Sequence, residues 1–246
     1  MSLDLSDVTQ FVEANIGKFH QKRLQSLMKL RLKEILRRKN PYLFKAKYIL
    51  IPHDLVKVLL DAYLSSQEES LFGEFLEQLA IFVCKKVYGG EKSSTEGIDL
   101  EFTRDGIKYF VTIKSGPNWG NSGQITKMVE QFKKAQKIYR TNNPGAVSFC
   151  VNGCCYGKEL SPDKGDYFKY AGQEFWEFIS GNPNLYIDII EPLGHQAKER
   201  NEEFDQEYAR IITNFTRQFT DEFCEGGRID WVRLLRFNSE RVRKSE

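Results

Sequence analysis

Gly97-Ile98-Asp99-Leu100-Glu101-Phe102-Thr103-Arg104-Asp105-Gly106-Ile107-Lys108-Tyr109-Phe110-Val111-Thr112-Ile113-Lys114 is the stretch on which the fold turns. Two strand-like runs, 97–103 and 107–114, flank Asp105-Gly106, a strong two-residue hairpin signal. With that turn, Arg104 stands opposite Ile107 and Asp99 opposite Thr112. Strand alternation then predicts Asp99, Glu101, Thr112 and Lys114 on one face, with a carboxylate and a lysine meeting on neighbouring strands.

Upstream, Leu71, Phe72, Phe75, Leu76, Leu79, Phe82 and Val83 recur at helical period and Gly89-Gly90 ends the run, so a helix precedes the hairpin. The first ~65 residues read as helices: 4–16, a basic helix to about Lys39, a break at Asn40-Pro41, and 54–64. Downstream, a polar turn over 115–123 leads to a helix over 124–140, a short strand over 146–151 and a loop over 152–166. A helix near 170–179, a strand near 185–190 and a long polar helix over 197–223 follow, and 231–237 closes the chain. This order predicts an α/β (α+β) fold, a mixed central sheet flanked by helices, with helical additions at both ends. The expected organisation is a basic helical module (1–65), a core (66–195) and a C-terminal helical extension (196–246), together one compact unit.

The chain has 246 residues and a net charge of only +2, but the charge is uneven. Between Gly17 and Tyr48 eleven cations stand against one acid, Glu34. Leu24, Leu27, Leu30, Leu32, Ile35 and Leu36 run through the same block, which predicts an amphipathic helix with Arg31, Arg37 and Arg38 on a basic outer face. Such a face attracts polyanions, and it also fits an acidic protein partner. No apolar run approaches the roughly 18 residues of a membrane span, and the acidic start lacks the pattern of a secretory signal, so the expectation is a cytoplasmic protein without a membrane partner. Five cysteines, an odd number without zinc-site pairing, are expected as reduced thiols. Three isolated histidines form no metal-binding pair.

An Asp beside a Lys suits hydrolysis of a phosphodiester. The carboxylate is a hard oxygen ligand for Mg²⁺, and the ammonium can orient and help deprotonate an attacking water. On spacing alone the pair fits a surface ion pair equally well. The preceding helix adds weight: Gly73-Glu74-Phe75-Leu76-Glu77, Gly89-Gly90, Gly97-Ile98-Asp99-Leu100 and Ile113-Lys114 resemble the layout of the PD-(D/E)XK nuclease superfamily. That resemblance implies Asp99 and Lys114 as catalytic residues and Glu77 as the helix acid at the metal, with Glu74 one turn away as the alternate.

Longer strings narrow the likeness. Arg38-Lys39-Asn40-Pro41-Tyr42-Leu43-Phe44, Ile113 to Ser122, Val151 to Gly157, Gly172 to Ser180 and Glu191 to Gly194 look like the PmeII-like family of type II restriction endonucleases. The resemblance implies sequence-specific cutting of double-stranded DNA with Mg²⁺ by a homodimer, beside a methyltransferase that protects the same site without a stable complex. One departure stands out: the superfamily's acid two residues before the lysine is Thr112 here. Either the acid has migrated, to Glu77 or Glu101, so that Asp99, Glu77 and Glu101 are the candidate metal ligands, or the site is inactive. The corresponding alternatives are a catalytically inactive DNA-binding protein of the same fold, or a repair or RNA nuclease.

In the polar turn, Ser115, Asn118, Asn121, Ser122 and Gln124 are candidate DNA contacts, since Asn and Gln can pair with adenine, and the same residues suit plain turn building. Trp119 can stack, wedge or pack. Lys127, on the helix that follows, is a candidate backbone contact.

Overall fold

In a computed structural model, residues 3–241 are described. Residues 1, 2 and 242–246, at the ends of the two expected helical segments, lie outside them. The helices and strands are α1 (Leu5–Met28), α2 (Leu32–Arg38), α3 (Pro41–Ala46), α4 (Pro52–Tyr88), β1 (Glu91–Lys92), β2 (Leu100–Arg104), β3 (Ile107–Lys114), α5 (Ser122–Asn142), β4 (Ser148–Cys154), β5 (Phe168–Ala171), α6 (Gln173–Ser180), α7 (Leu185–Asp188), α8 (Ile190–Leu193), α9 (Ala197–Phe223), β6 (Cys224–Glu225), β7 (Arg228–Ile229) and α10 (Trp231–Ser239).

The hairpin forms in the expected register, with Arg104 opposite Ile107 and Leu100 opposite Val111. Asp105 and Gly106 both take positive φ, 54° and 75°, as a type I′ turn requires. The five-stranded sheet runs β1-β2-β3-β4-β5 and is mixed: β3 pairs antiparallel with β2 but parallel with β4, and β4 is parallel to β5. The parallel step is made possible by the crossover through α5.

Both faces of this sheet are covered. Val111, Ile113 and Val151 pack with Val8, Val12 and Ile16 of α1, with Phe75, Leu79 and Val83 of α4 and with Trp176 and Ile179 of α6. Phe110 and Cys150 turn the other way, onto Met128, Phe132 and Ala135 of α5. This is the mixed central sheet flanked by helices.

Contacts gather the chain into two units, one holding residues up to 19 with 70–195, the other 20–69 with those from 196 on. Residues 65 and 66, where the sequence suggests a boundary, lie inside α4. Among its described residues the second unit has no strands but the short β6-β7 hairpin, and its core joins Leu27, Leu32, Ile35 and Leu36 to Phe204, Ile211, Phe215 and Phe219 of α9.

Several elements differ from the sequence reading. The basic helix expected to about Lys39 is not one helix: its first part continues the helix expected over 4–16 as α1 and its second part is α2, because Leu27 and Leu32 are five residues apart. On an unbroken helix that step would turn them to different faces, and a break at 29–31 lets both enter one core. Residues 54–64 and 71–87 belong to the single helix α4. The run near 185–190 is not a strand but the short helices α7 and α8: Leu185 and Ile189 are buried at i, i+4 while Ile187 and Ile190 are exposed. β1 and β5, two and four residues long, carry too little pattern to be read. Cys84, Cys150, Cys154 and Cys155 are buried free thiols, and burial pushes Cys84 and Cys150 up to about 12.

Candidate active site

Lys114 is the last residue of β3, and Asp99 directly precedes β2. Because β2 is antiparallel to β3, its beginning lies beside the carboxyl end of β3. The carboxyl ends of parallel strands are where open α/β sheets bind ligands.

Asp99 is held on several sides. Its backbone N–H donates to Val111 O at 2.9 Å, and its Oδ2 accepts from the backbone N–H of Ile113 at 2.6 Å. Lys114 Nζ stands 3.7 Å from that same Oδ2 and 5.2 Å from the centroid of the Trp119 ring. The two partly buried side chains thus meet as the hairpin geometry predicts.

Glu77 comes from the same stretch of α4 that buries Phe75, Leu76 and Leu79, which brings this side chain to the site only partly exposed while Glu74 is exposed to solvent. Its carboxyl is held above the ordinary range, first by burial and then by the negative charge of Asp99, against the lowering pull of Lys92 and Lys114. Lys92 Nζ is 3.4 Å from Glu77 Oε1. The field of Asp99 therefore reaches Glu77, and two like charges share a partly buried place.

Glu101 is engaged elsewhere. The Ser93 hydroxyl donates to its carboxylate, Thr95 Oγ1 does so at 3.4 Å, and Lys108 Nζ lies 2.8 Å away. Burial works to raise its pKa, but the hydrogen bonds from Lys108 and Ser93 outweigh it and the net direction is down. Among the described residues no group of three or more His, Cys, Asp or Glu could hold a metal ion by itself.

Thr112 is buried, on the strand face turned to α5. Its hydroxyl accepts from Asn152 Nδ2 at 3.0 Å and donates to Met128 Sδ at 3.5 Å. Asn152, its partner in the parallel β3-β4 register, also accepts from Trp119 Nε1 at 3.1 Å. Sequence reading missed Asn152 as a group of its own: no local spacing announces a contact spanning 40 residues.

The polar turn is clamped from outside. Cys155 and Tyr156 donate backbone hydrogen bonds to the carbonyls of Lys114 and Ser115, and Lys169 donates to Pro117 O at 3.0 Å. Lys169 also pairs with Glu159, which Lys164 bonds too, and the hydrogen bonds to Glu159, Lys164's foremost, bring its pKa down to about 2. Asn121 and Gln124 form a capping box at the start of α5, each side chain bonding the other's backbone N–H. Asn118, Ser122 and Lys127 are exposed, and Ser115 and Trp119 are half-buried. Farther along α5, Lys133, Gln136, Lys137, Arg140 and Thr141 line an open groove of about 420 Å³. Arg31, Arg37 and Arg38 are exposed residues of the other unit, with the Arg37 guanidinium 5.3 Å above the ring of Phe237.

A family model described as type II restriction endonuclease EcoO109I matches residues 6–201, about four-fifths of the chain, and spans Glu77, Asp99 and Lys114. No curated protein matches the sequence.

Proposed function

The chain belongs to the family of the type II restriction endonuclease EcoO109I, and from that membership we propose that it makes sequence-specific, Mg²⁺-dependent double-strand cuts in DNA. The observation that carries the proposal is the Asp99–Lys114 pair, 3.7 Å apart at the carboxyl end of β3, with Glu77 within the field of Asp99. We read the chain more narrowly as a PmeII-like member of the PD-(D/E)XK superfamily, on the motif strings quoted above.

The donor set fits Mg²⁺. That ion keeps several waters and takes one or two carboxylates plus substrate phosphate, so it needs no cage of three protein ligands. Asp99 and Glu77 are hard oxygen donors whose mutual repulsion a divalent cation would offset. When bound, the ion would polarise the phosphate and lower the pKa of water at the scissile bond. We assign Asp99 and Glu77 as its ligands. Glu77 is preferred to Glu101 because the carboxylate of Glu101 is already held by Ser93, Thr95 and Lys108.

Lys114 presents a fixed ammonium where negative charge develops on the phosphate and where the attacking water must be oriented. Asp99, through its bond from the Ile113 N–H, keeps that end of the hairpin in place. The exposed side chains of Asn118, Ser122 and Lys127 and the basic edge of α5 are proposed to contact the duplex, as are Arg31, Arg37 and Arg38. Ser115, Asn121 and Gln124 would shape the turn that meets it. One such centre per chain cuts one strand, so the working form is proposed to be a homodimer. A separate methyltransferase would protect the same sequence.

The test is incubation of methylation-free phage DNA with Mg²⁺ or with EDTA, using the wild type, Asp99→Ala and Lys114→Ala. Discrete fragments that need Mg²⁺ and vanish in both variants are the expected result. A second reading, an inactive DNA-binding protein, is favoured by one feature: the acid's position is occupied by the buried hydroxyl of Thr112. Intact DNA across many sequences and divalent metals, with salt-sensitive binding preserved, would select it.

A further inference from the structure

Lys114 is the last residue of its strand, and a lysine there has four rotatable carbons with which to miss its target. Its ammonium nevertheless has two neighbours, Asp99 Oδ2 at 3.7 Å and the Trp119 ring at 5.2 Å. Trp119 sits in a polar turn, where a large ring has no periodic reason to hold one orientation. Its orientation is set from the neighbouring strand, by Asn152 of β4. The indole N–H is a donor only, so the Asn152 amide must face it with its oxygen, which places the amide nitrogen on the opposite side. That nitrogen donates to Thr112 Oγ1 at 3.0 Å. Asn152 is 1% exposed and Thr112 2%, so neither bond can be exchanged freely for water. The amide's orientation is thereby determined at both ends, and with it the orientation of the ring.

We propose that Asn152 and Trp119 are positioning residues for Lys114: the buried amide fixes the indole, and the indole fixes the ammonium by a cation–π contact. The inference rests on the reading of Lys114 as the catalytic lysine. It also gives a use to Thr112, which anchors the amide from the site where the superfamily carries an acid. A cation over an indole is attracted by the ring's quadrupole, and this contact biases the Lys114 side chain towards one set of rotamers. Asn152 and Trp119 touch neither substrate nor metal in this scheme; they act only through Lys114.

The variants are Trp119→Phe, which keeps a ring and deletes the N–H, Asn152→Leu, and the double variant. Two quantities are measured: the single-turnover cleavage rate with saturating enzyme and Mg²⁺, and the DNA dissociation constant with Ca²⁺ replacing Mg²⁺. Small misplacements of a catalytic group cost up to about 100-fold, so each single variant is expected to cut about 10-fold slower with DNA affinity unchanged. The double variant is expected to be no slower than the worse single one, because the two residues act as one device. A second readout needs no cleavage: the Lys114 ε-CH₂ signal in a ¹H–¹³C spectrum, identified by its loss in Lys114→Arg, should be displaced upfield by the ring and move back in Asn152→Leu. An unmoved Lys114 signal in Asn152→Leu, or rate losses that multiply in the double variant, would overturn the proposal. If Asn152→Leu fails to fold, Trp119→Phe alone still tests it, through the same rate and the same signal. A wild type that does not cut DNA would refute the assignment of function, while the spectrum would still report on the positioning.

Discussion

Replacing Thr112 by Val removes one hydroxyl and almost no volume, and the consequence follows from burial. Asn152 Nδ2 donates to that hydroxyl at 3.0 Å, and Asn152 is 1% exposed, so the variant leaves an amide N–H without an acceptor in a place water does not reach. An unsatisfied buried donor of this kind costs about 1–3 kcal/mol. For a domain of this size each kcal/mol lowers Tm by about 2–4 °C, so Thr112→Val is expected to melt about 2–12 °C below the wild type. The assay is thermal unfolding followed by circular dichroism, with Thr112→Val/Asn152→Leu beside it. Removing both partners of a buried hydrogen bond is less harmful than removing one, so the double variant should recover part of what the sum of the two single losses predicts. Thr112→Glu, which places a carboxylate at that position, should destabilise further and cut no faster, because the acid would be buried beside Met128 and Asn152. An unchanged Tm in Thr112→Val would refute the hydrogen-bond argument. A folded Thr112→Glu that cuts faster than wild type would refute the claim that position 112 faces the α5 core and not the metal site.

Further expectations concern charge and packing. The Glu77 carboxyl is raised by burial and by Asp99, so its charged form is disfavoured by the fold. Its folded pKa lies above its unfolded one, and this group therefore costs stability that is absent below the usual carboxylate range and grows as pH rises through the folded pKa. Glu77→Gln should accordingly melt higher than wild type near neutral pH, with the gain fading in acid, and should fail to cut DNA; a variant less stable at every pH would contradict this. A Cβ at Gly153, the last but one residue of β4, would stand 2.1 Å from the Phe175 ring, so Gly153→Ala should lose about 1–3 kcal/mol in denaturant unfolding, and a neutral substitution would show that the ring has room to move. Lys134 and Lys137 are exposed on α5; if they meet phosphates, the log–log salt dependence of DNA binding should flatten by about one unit per Lys→Ala change, and an unaltered slope would remove α5 from the interface.

The hairpin was legible from residues alone because its determinants are local. A two-residue turn with positive φ at both positions imposes the pairing of its flanks, and strand alternation then puts Asp99 and Lys114 together whatever else the chain does. The helices before and after it were readable as helices, since a buried stripe of period 3.6 is written in the sequence, although the first is one helix where the sequence suggests two. The charge of the 17–48 block was legible too, though not its break at 29–31, which depends on which residues share a core.

What tertiary structure alone decided is everything that joins distant segments. The parallel pairing of β3 with β4 brings Asn152 beside Thr112, and no spacing rule reaches across the crossover that makes this possible. That Glu77, and not Glu74, is partly buried and within the field of Asp99 depends on how α4 is rotated against the sheet, and that is a property of packing. Glu101 shares a predicted face with Asp99, yet Lys108, Ser93 and Thr95 draw its carboxylate to themselves, an outcome of side-chain competition that alternation cannot express. The sequence by itself determined the hairpin that brings Asp99 to Lys114 and the positive charge of the 17–48 block, because turn geometry, periodicity and charge are local. Which groups surround that strand was determined by long-range packing, because burial and hydrogen-bond competition exist only once the chain has closed on itself.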